Sequence, residues 1–198
     1  DWKPMSKENL VALKKSVSPY EKSETRSSIK QLLNTFLPFF LLWYLAYESL
    51  AVSIWLTLPI CVVAAGFLTR IFIIFHDCCH NSFFRNKKAN AVIGNIAGVL
   101  TLFPFRQWQH SHNMHHAGSG NLEKRGVGDM WMLTVEEYHE ASTWTKVQYR
   151  IYRNPFVMFG IGPIYAFLIS NRFNRKGARK KERNNTYMIN LAIVVCVT

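Results

Sequence analysis

Apolar and polar positions in this chain fall into long blocks rather than the short periods of a soluble helix or strand. Leu32 to Tyr47 (LLNTFLPFFLLWYLAY) is almost wholly apolar, is extended by Ile29, and ends in aromatic residues. It is slightly shorter than the ~20 residues a spanning helix needs. Pro38 predicts a kink, which membrane helices tolerate. A short turn at Glu48 and Ser49 follows, and Leu50 to Phe75 is then long enough to cross with tilt. Two antiparallel transmembrane helices joined by a tight loop are predicted over 31–75. Arg70, near the far end of the second run, reads as a side chain that snorkels to the headgroups.

Residues 76–155 form the largest polar section and contain all seven histidines. Inside it, Ala89 to Phe105 is apolar but interrupted by Gly94, Gly98 and Pro104. This piece joins two histidine clusters, so one full crossing would put them on opposite sides. A re-entrant or interfacial segment is expected. Phe156 to Ser170 is a third membrane candidate, short and broken by Gly160, Gly162 and Pro163. A very basic stretch, Asn171 to Asn185, follows, and Met188 opens a fourth apolar segment. One crossing at 156–170 would place the basic stretch outside, against the positive-inside bias. Either that segment dips and returns, or later helices override the bias. The fold class is all-α: a polytopic integral membrane protein with a helical cytoplasmic cap.

Composition sharpens this picture. Hydrophobic residues make up 49% and aromatics 14%, yet the net charge is +12. These values conflict in a soluble domain and fit membrane-buried stretches alternating with basic, headgroup-facing loops. Nucleic-acid binding usually shows as a basic stripe with interleaved aromatics, and the long apolar runs argue against it. Residues 1–30 carry seven Lys or Arg and read as a basic cytoplasmic arm, with helical turns on the lipid surface and no cleavable signal. Basic flanks put both outer ends of the two spans in the cytoplasm. Cys61, Cys78, Cys79 and Cys196 show no disulfide or zinc spacing and are read as reduced packing residues. The chain starts at Asp1 and stops at Thr198 inside an apolar run, so it reads as one domain, incomplete at its C-terminus. Its parts are the arm (1–30), two spans (31–75), a histidine region (76–155), and further membrane segments with a basic loop (156–198).

The candidate chemistry lies in the histidines. His76 and His80 (HDCCH) stand four apart directly after the second apolar run, so a continuing helix puts both rings on one face. His112, His115 and His116 (HSHNMHH) also share a helical face. One such pair is often structural. Two clusters near a membrane surface are costly to bury without partners, and a metal supplies them. Facing helices can combine side chains into a shared two-metal site. The zincin pattern is absent and no cysteine ligand set is present, so the nitrogen donors suit iron or copper.

These residues resemble the membrane fatty-acid desaturase family. HDCCH at 76–80 and HxxHH at 112–116 match its histidine boxes. The wider text (LTRIFIIFHDCCHNSFF, then LFPFRQWQHSHNMHHAGSGNL) is similar to bacterial acyl-lipid desaturases of the Δ5 type. The resemblance implies a multi-pass cell-membrane enzyme with its histidine boxes on the cytoplasmic side. Two non-haem iron ions would be held by His76, His80, His112, His115 and His116. The co-substrate would be O₂, the substrates phospholipid acyl chains, and the electron donor ferredoxin or flavodoxin. The family's third box, a further HxxHH, has no counterpart here, since only His139 follows His116.

Alternatives stay open. A di-iron lipid hydroxylase or ketolase shares these boxes, and a non-catalytic membrane protein could bind metal through the same histidines. His110, two residues before His112, points elsewhere on a helix, and His139 reads as a surface residue. Asp77 either orients a ligand ring or is a surface carboxylate. Trp108 and Trp131 line an acyl path or anchor at the interface. Lys87, Lys88, Lys124 and Arg125 form a basic patch, either solvated or lipid-facing, or able to receive an acidic electron carrier.

Overall fold

Ser6 starts the first helix: its hydroxyl accepts the Asn9 amide at 3.2 Å, and α1 (Lys7–Val17) follows. Leu10, Val11, Leu13 and Val17 are exposed beside Lys14 and Lys15, the character of a helix that lies on lipid. The computed structural model describes residues 6–20, 22–126 and 129–197, and every regular element among them is helical. Two compact units, 1–94 and 95–198, divide the chain.

In the first unit, α2 (Thr25–Leu50) and α3 (Ile54–Cys79) pack side by side, and each is long and apolar enough to cross a membrane. At 1.5 Å per residue each is about 39 Å long, against a hydrocarbon core of about 30 Å. Helix α2 thus exceeds the 32–47 run and continues through Pro38. The turn also differs from the sequence expectation: it lies at 51–53, not at Glu48 and Ser49. Ser49 is buried, its hydroxyl 2.8 Å from that of Thr57 on α3, so it stays helical as an inter-helix contact. Burial along α2 falls on Ser28, Thr35, Ala46 and Ser49, while Leu33, Leu37, Leu41 and Trp43 are exposed. Small and polar inside with apolar outside suits a lipid solvent. Arg70 does more than snorkel, since its guanidinium donates to Asn34 Oδ1 on α2 at 3.1 Å.

Asn81, with φ of 57°, ends α3 in the left-handed conformation that Asn tolerates. The loop that follows is tied down by side chains. Ser28 donates to the Phe83 carbonyl at 2.5 Å, and Arg85 Nε donates to the Ser23 carbonyl at 3.0 Å. The buried Asn90 amide accepts from Phe84 N–H at 2.8 Å and donates to its carbonyl at 2.7 Å. Asn90 lies on α4 (Lys87–Leu100), inside which the unit boundary falls.

At about 21 Å, α4 is too short to span. A bend of 101° separates it from α5 (Phe105–Gly118), in keeping with a re-entrant or broken segment. Leu102 at this elbow has φ of 63°, a strained value for a bulky residue. In the second unit the Arg172 guanidinium donates to the Leu102 carbonyl and, at 2.9 Å, to Asn190 Oδ1. Burial pulls that guanidinium below its ordinary pKa.

Short helices α6 (Val135–Glu140) and α7 (Thr143–Tyr152) follow, the first opened by a Thr134/Glu137 capping box. The expected third membrane segment is helical but irregular. Two π-helical stretches, Val157–Ile161 and Tyr165–Ile169, flank a single turn, α8 (Gly162–Ile164). Pro163 has no N–H to offer the preceding turn. A Cβ at Gly162 would meet the Val157 carbonyl at 3.0 Å, a tight contact that glycine avoids. Helix α9 (Lys180–Val197) packs against α5. Asn185 on α9 accepts the Arg106 amide at 2.8 Å, satisfying a free N–H in the first turn of α5, and donates to Asn95 at 2.6 Å.

Candidate metal centre

Both histidine boxes lie where helical spacing places them. His76 is in the last turn of α3, and His80 caps it in the right-handed region. Their Nε2 atoms are 3.3 Å apart. The buried stripe Ile71, Ile74, Phe75 and Cys78 fixes the rotation of this helix end. In the second unit His112 and His116 lie one turn apart on α5, their Nε2 atoms separated by 3.0 Å. The indole of Trp108, a further turn back, stacks on the His112 ring with centroids 4.2 Å apart.

One carboxylate selects the nitrogen that His76 can offer, and a second lies beside His115. His76 Nδ1 is 3.1 Å from Asp77 Oδ1. A carboxylate only accepts, so Nδ1 carries the proton and Nε2 keeps its lone pair for a metal. Asp77 therefore orients the His76 ring. His115 Nδ1 is 2.5 Å from Asp129 Oδ1, a close contact without hydrogen-bond alignment. Asp129, like the stacked Trp108, carried no motif signal, although the spacing of Trp108 and His112 follows the same helical rule as the boxes.

His76 with His80 in the first unit, and His112 with His116 in the second, each present a close pair of ring nitrogens, a donor arrangement that can serve a metal ion. His115 is not part of the close pair on α5, and its ring lies against Asp129. The paired donors are imidazoles, one of them held by a carboxylate through His76 and Asp77, a chemistry that fits iron, and all four cysteines are free. His110 faces Arg179, whose guanidinium is 3.1 Å from its Nδ1. His139 is exposed, and its carbonyl accepts from Lys146 at 2.8 Å. Arg125, grouped with the basic patch, is engaged by Glu137. That hydrogen bond, with the Thr134 amide, holds the Glu137 carboxyl below its usual range. Trp131 packs edge-on against Tyr149 and Tyr152.

The family model described as "Fatty acid desaturase" matches residues 53–198, a span that includes both boxes. A "Fatty acid desaturase" of Bacillus subtilis (strain 168) is 66% identical over 182 residues, covering 92% of this chain and 52% of that protein. The "sn-1 oleoyl-lipid 12-desaturase" of Arthrospira platensis is 34% identical over 110 residues, 55% of this chain and 31% of its own length. The "sn-1 acyl-lipid omega-3 desaturase (ferredoxin)" of Synechocystis sp. (strain ATCC 27184 / PCC 6803 / Kazusa) is 32% identical over 125 residues, 63% of this chain and 32% of that protein. The chain thus spans about half the length of the first relative and about a third of the other two. No solved structure matches it. With the family match running through both histidine-bearing helices, the chain belongs to the fatty acid desaturase family.

Proposed function

We propose that this chain is the box-bearing part of an O₂-dependent acyl-lipid desaturase, forming a single desaturase domain over 1–198. It would act in the cell membrane with its boxes on the cytoplasmic side. His76, His80, His112, His115 and His116 are the proposed ligands of two non-haem irons. The observation that carries this reading is the paired Nε2 atoms of each box, 3.3 and 3.0 Å apart, with Nδ1 of His76 held on Asp77. Ring nitrogens paired this closely, one ring already held from outside by a carboxylate, are ready for a cation. The bound irons would supply the oxidising power to remove two hydrogens from adjacent methylenes, with O₂ and two electrons ending as water.

The chain's own residues set the rest. Helix α2, apolar outside with small and polar residues within, packs with α3 in a lipid-embedded hairpin that holds the first box at its end. Asp77 keeps the His76 ring in one tautomer and orientation, and Asp129 lies against the His115 ring. Trp108 limits rotation of His112. The ferredoxin named for one relative supports ferredoxin or flavodoxin as donor, and the acyl-lipid names of the relatives support phospholipid acyl chains as substrate. A Δ5 position for the double bond is the finer reading and rests on the motif resemblance.

Lipid extracts from cells expressing the gene should contain acyl chains two hydrogens lighter, resolved by mass spectrometry. Species gaining an oxygen instead would reject desaturation in favour of hydroxylation. In the purified protein, His80→Ala or His115→Ala should lower bound iron and abolish that product, while His139→Ala should change neither. Wild-type iron content in both box variants would remove the proposed ligands.

A further inference from the structure

A cavity of about 310 Å³ opens between α5 and the start of α9, lined by Arg106, His110, Arg179, Lys181 and Glu182 together with Gln109 and Asn113. A neighbouring recess of about 430 Å³ shares His110, Arg179 and Glu182 and adds Arg175 and Lys176. Five cationic side chains thus face one carboxylate.

That carboxylate is already used. Glu182 accepts from Arg179 Nε at 2.8 Å and from its backbone N–H at 3.2 Å, closing the first turn of α9. Burial alone would raise its pKa, but these bonds outweigh burial and hold it below the usual range. His110 Nδ1 accepts from Arg179, which leaves its Nε2 as an N–H donor. The buried Gln107 fixes the adjoining loop, accepting from Arg175 N–H at 3.0 Å and donating to the Phe173 carbonyl at 3.2 Å. The recess is built on two helices and a tethered loop, and its chemistry is that of an anion receptor.

The surroundings identify the source of the anion. Phe173, two residues before Arg175, is 67% exposed, and Ile164, Leu168 and Ile169 before it are exposed as well. Apolar surface beside a cationic recess matches a membrane boundary, with acyl chains at one level and phosphates at the next. An acidic protein surface would meet the cations and leave that apolar surface bare. We propose that this recess binds the phosphate of an anionic phospholipid headgroup. The proposal rests on the reading of the chain as a lipid-embedded protein, and not on the imidazoles.

The full chain, in neutral detergent, can be titrated with a short-chain phosphatidylglycerol, inorganic phosphate and an acidic ferredoxin, with iron content measured in parallel. The lipid should bind at least about tenfold more tightly than inorganic phosphate. Lys176→Gln and Lys181→Gln should each weaken it about fivefold, the scale for one basic residue at an anionic lipid surface, and leave iron content unchanged. Lys14→Gln on α1 should have no effect. Equal affinity for inorganic phosphate would make this a free-phosphate site. An equal loss with Lys14→Gln would reduce it to diffuse surface charge. Loss of ferredoxin binding in the recess variants, with lipid binding intact, would assign it to a protein partner. Each of these three overturns the proposal, whereas loss of iron binding or of the desaturated product alone bears on the enzyme reading.

Discussion

Asn90→Ala should release the loop that follows the first histidine box. The Asn90 side chain is fully buried and makes both bonds that a peptide group can offer Phe84, at 2.8 and 2.7 Å, with a third to the Asn86 carbonyl at 3.2 Å. Alanine leaves the Phe84 amide and carbonyl buried without these partners, at about 1–3 kcal/mol for each. The loop over 81–86 should therefore lose on the order of 2–5 kcal/mol of local stability. Since about 1.4 kcal/mol is a factor of ten, amide exchange at Phe84 should accelerate by about a hundredfold, read by hydrogen–deuterium exchange on peptides covering 81–90. Asn86→Ala is the comparison. Its Oδ1 accepts Lys88 N–H at 2.8 Å in an exposed first turn, a cap worth about 1 kcal/mol. Exchange in Asn90→Ala no faster than in Asn86→Ala would refute the argument that one buried amide holds this loop.

Three further outcomes follow from the same structure. Asp77→Ala and Asp129→Ala should each weaken iron binding by about ten- to a hundredfold, measured by competition with a chelator, because each frees the outer nitrogen of a proposed ligand ring. Trp108→Ala should weaken it about tenfold by the same assay, and Trp108→Phe should recover part of the loss by restoring a ring against His112. Glu182→Gln should destabilise the second unit by about 1 kcal/mol at pH 7. The folded carboxyl titrates below its ordinary value, so its advantage is present above the unfolded pKa of about 4.3 and is lost as pH falls through the folded one. Thermal midpoints of the two proteins should converge on acidification, and a constant gap down to pH 3 would contradict this.

The membrane helices were legible because hydropathy reports which side chains lipid touches, and α2 and α3 expose long apolar surfaces. The boxes were legible because helical spacing alone pairs His76 with His80 and His112 with His116. What escaped were contacts between residues distant in sequence. Nothing in the spacing marks Asp129 as the partner of His115, since a loop separates them. Hydropathy counts Ser49 as an interruption and so suggests a turn, whereas the residue joins two helices through Thr57. Asn90, Gln107 and Asn185 belong to the same class: each is buried, and each satisfies backbone groups on a neighbouring segment. In a lipid solvent apolar contact between helices gives little preference for one arrangement over another. The polar residues that a hydropathy reading discards are then the ones that fix the histidine-bearing helix ends, and substitutions there should disturb iron retention before they disturb insertion.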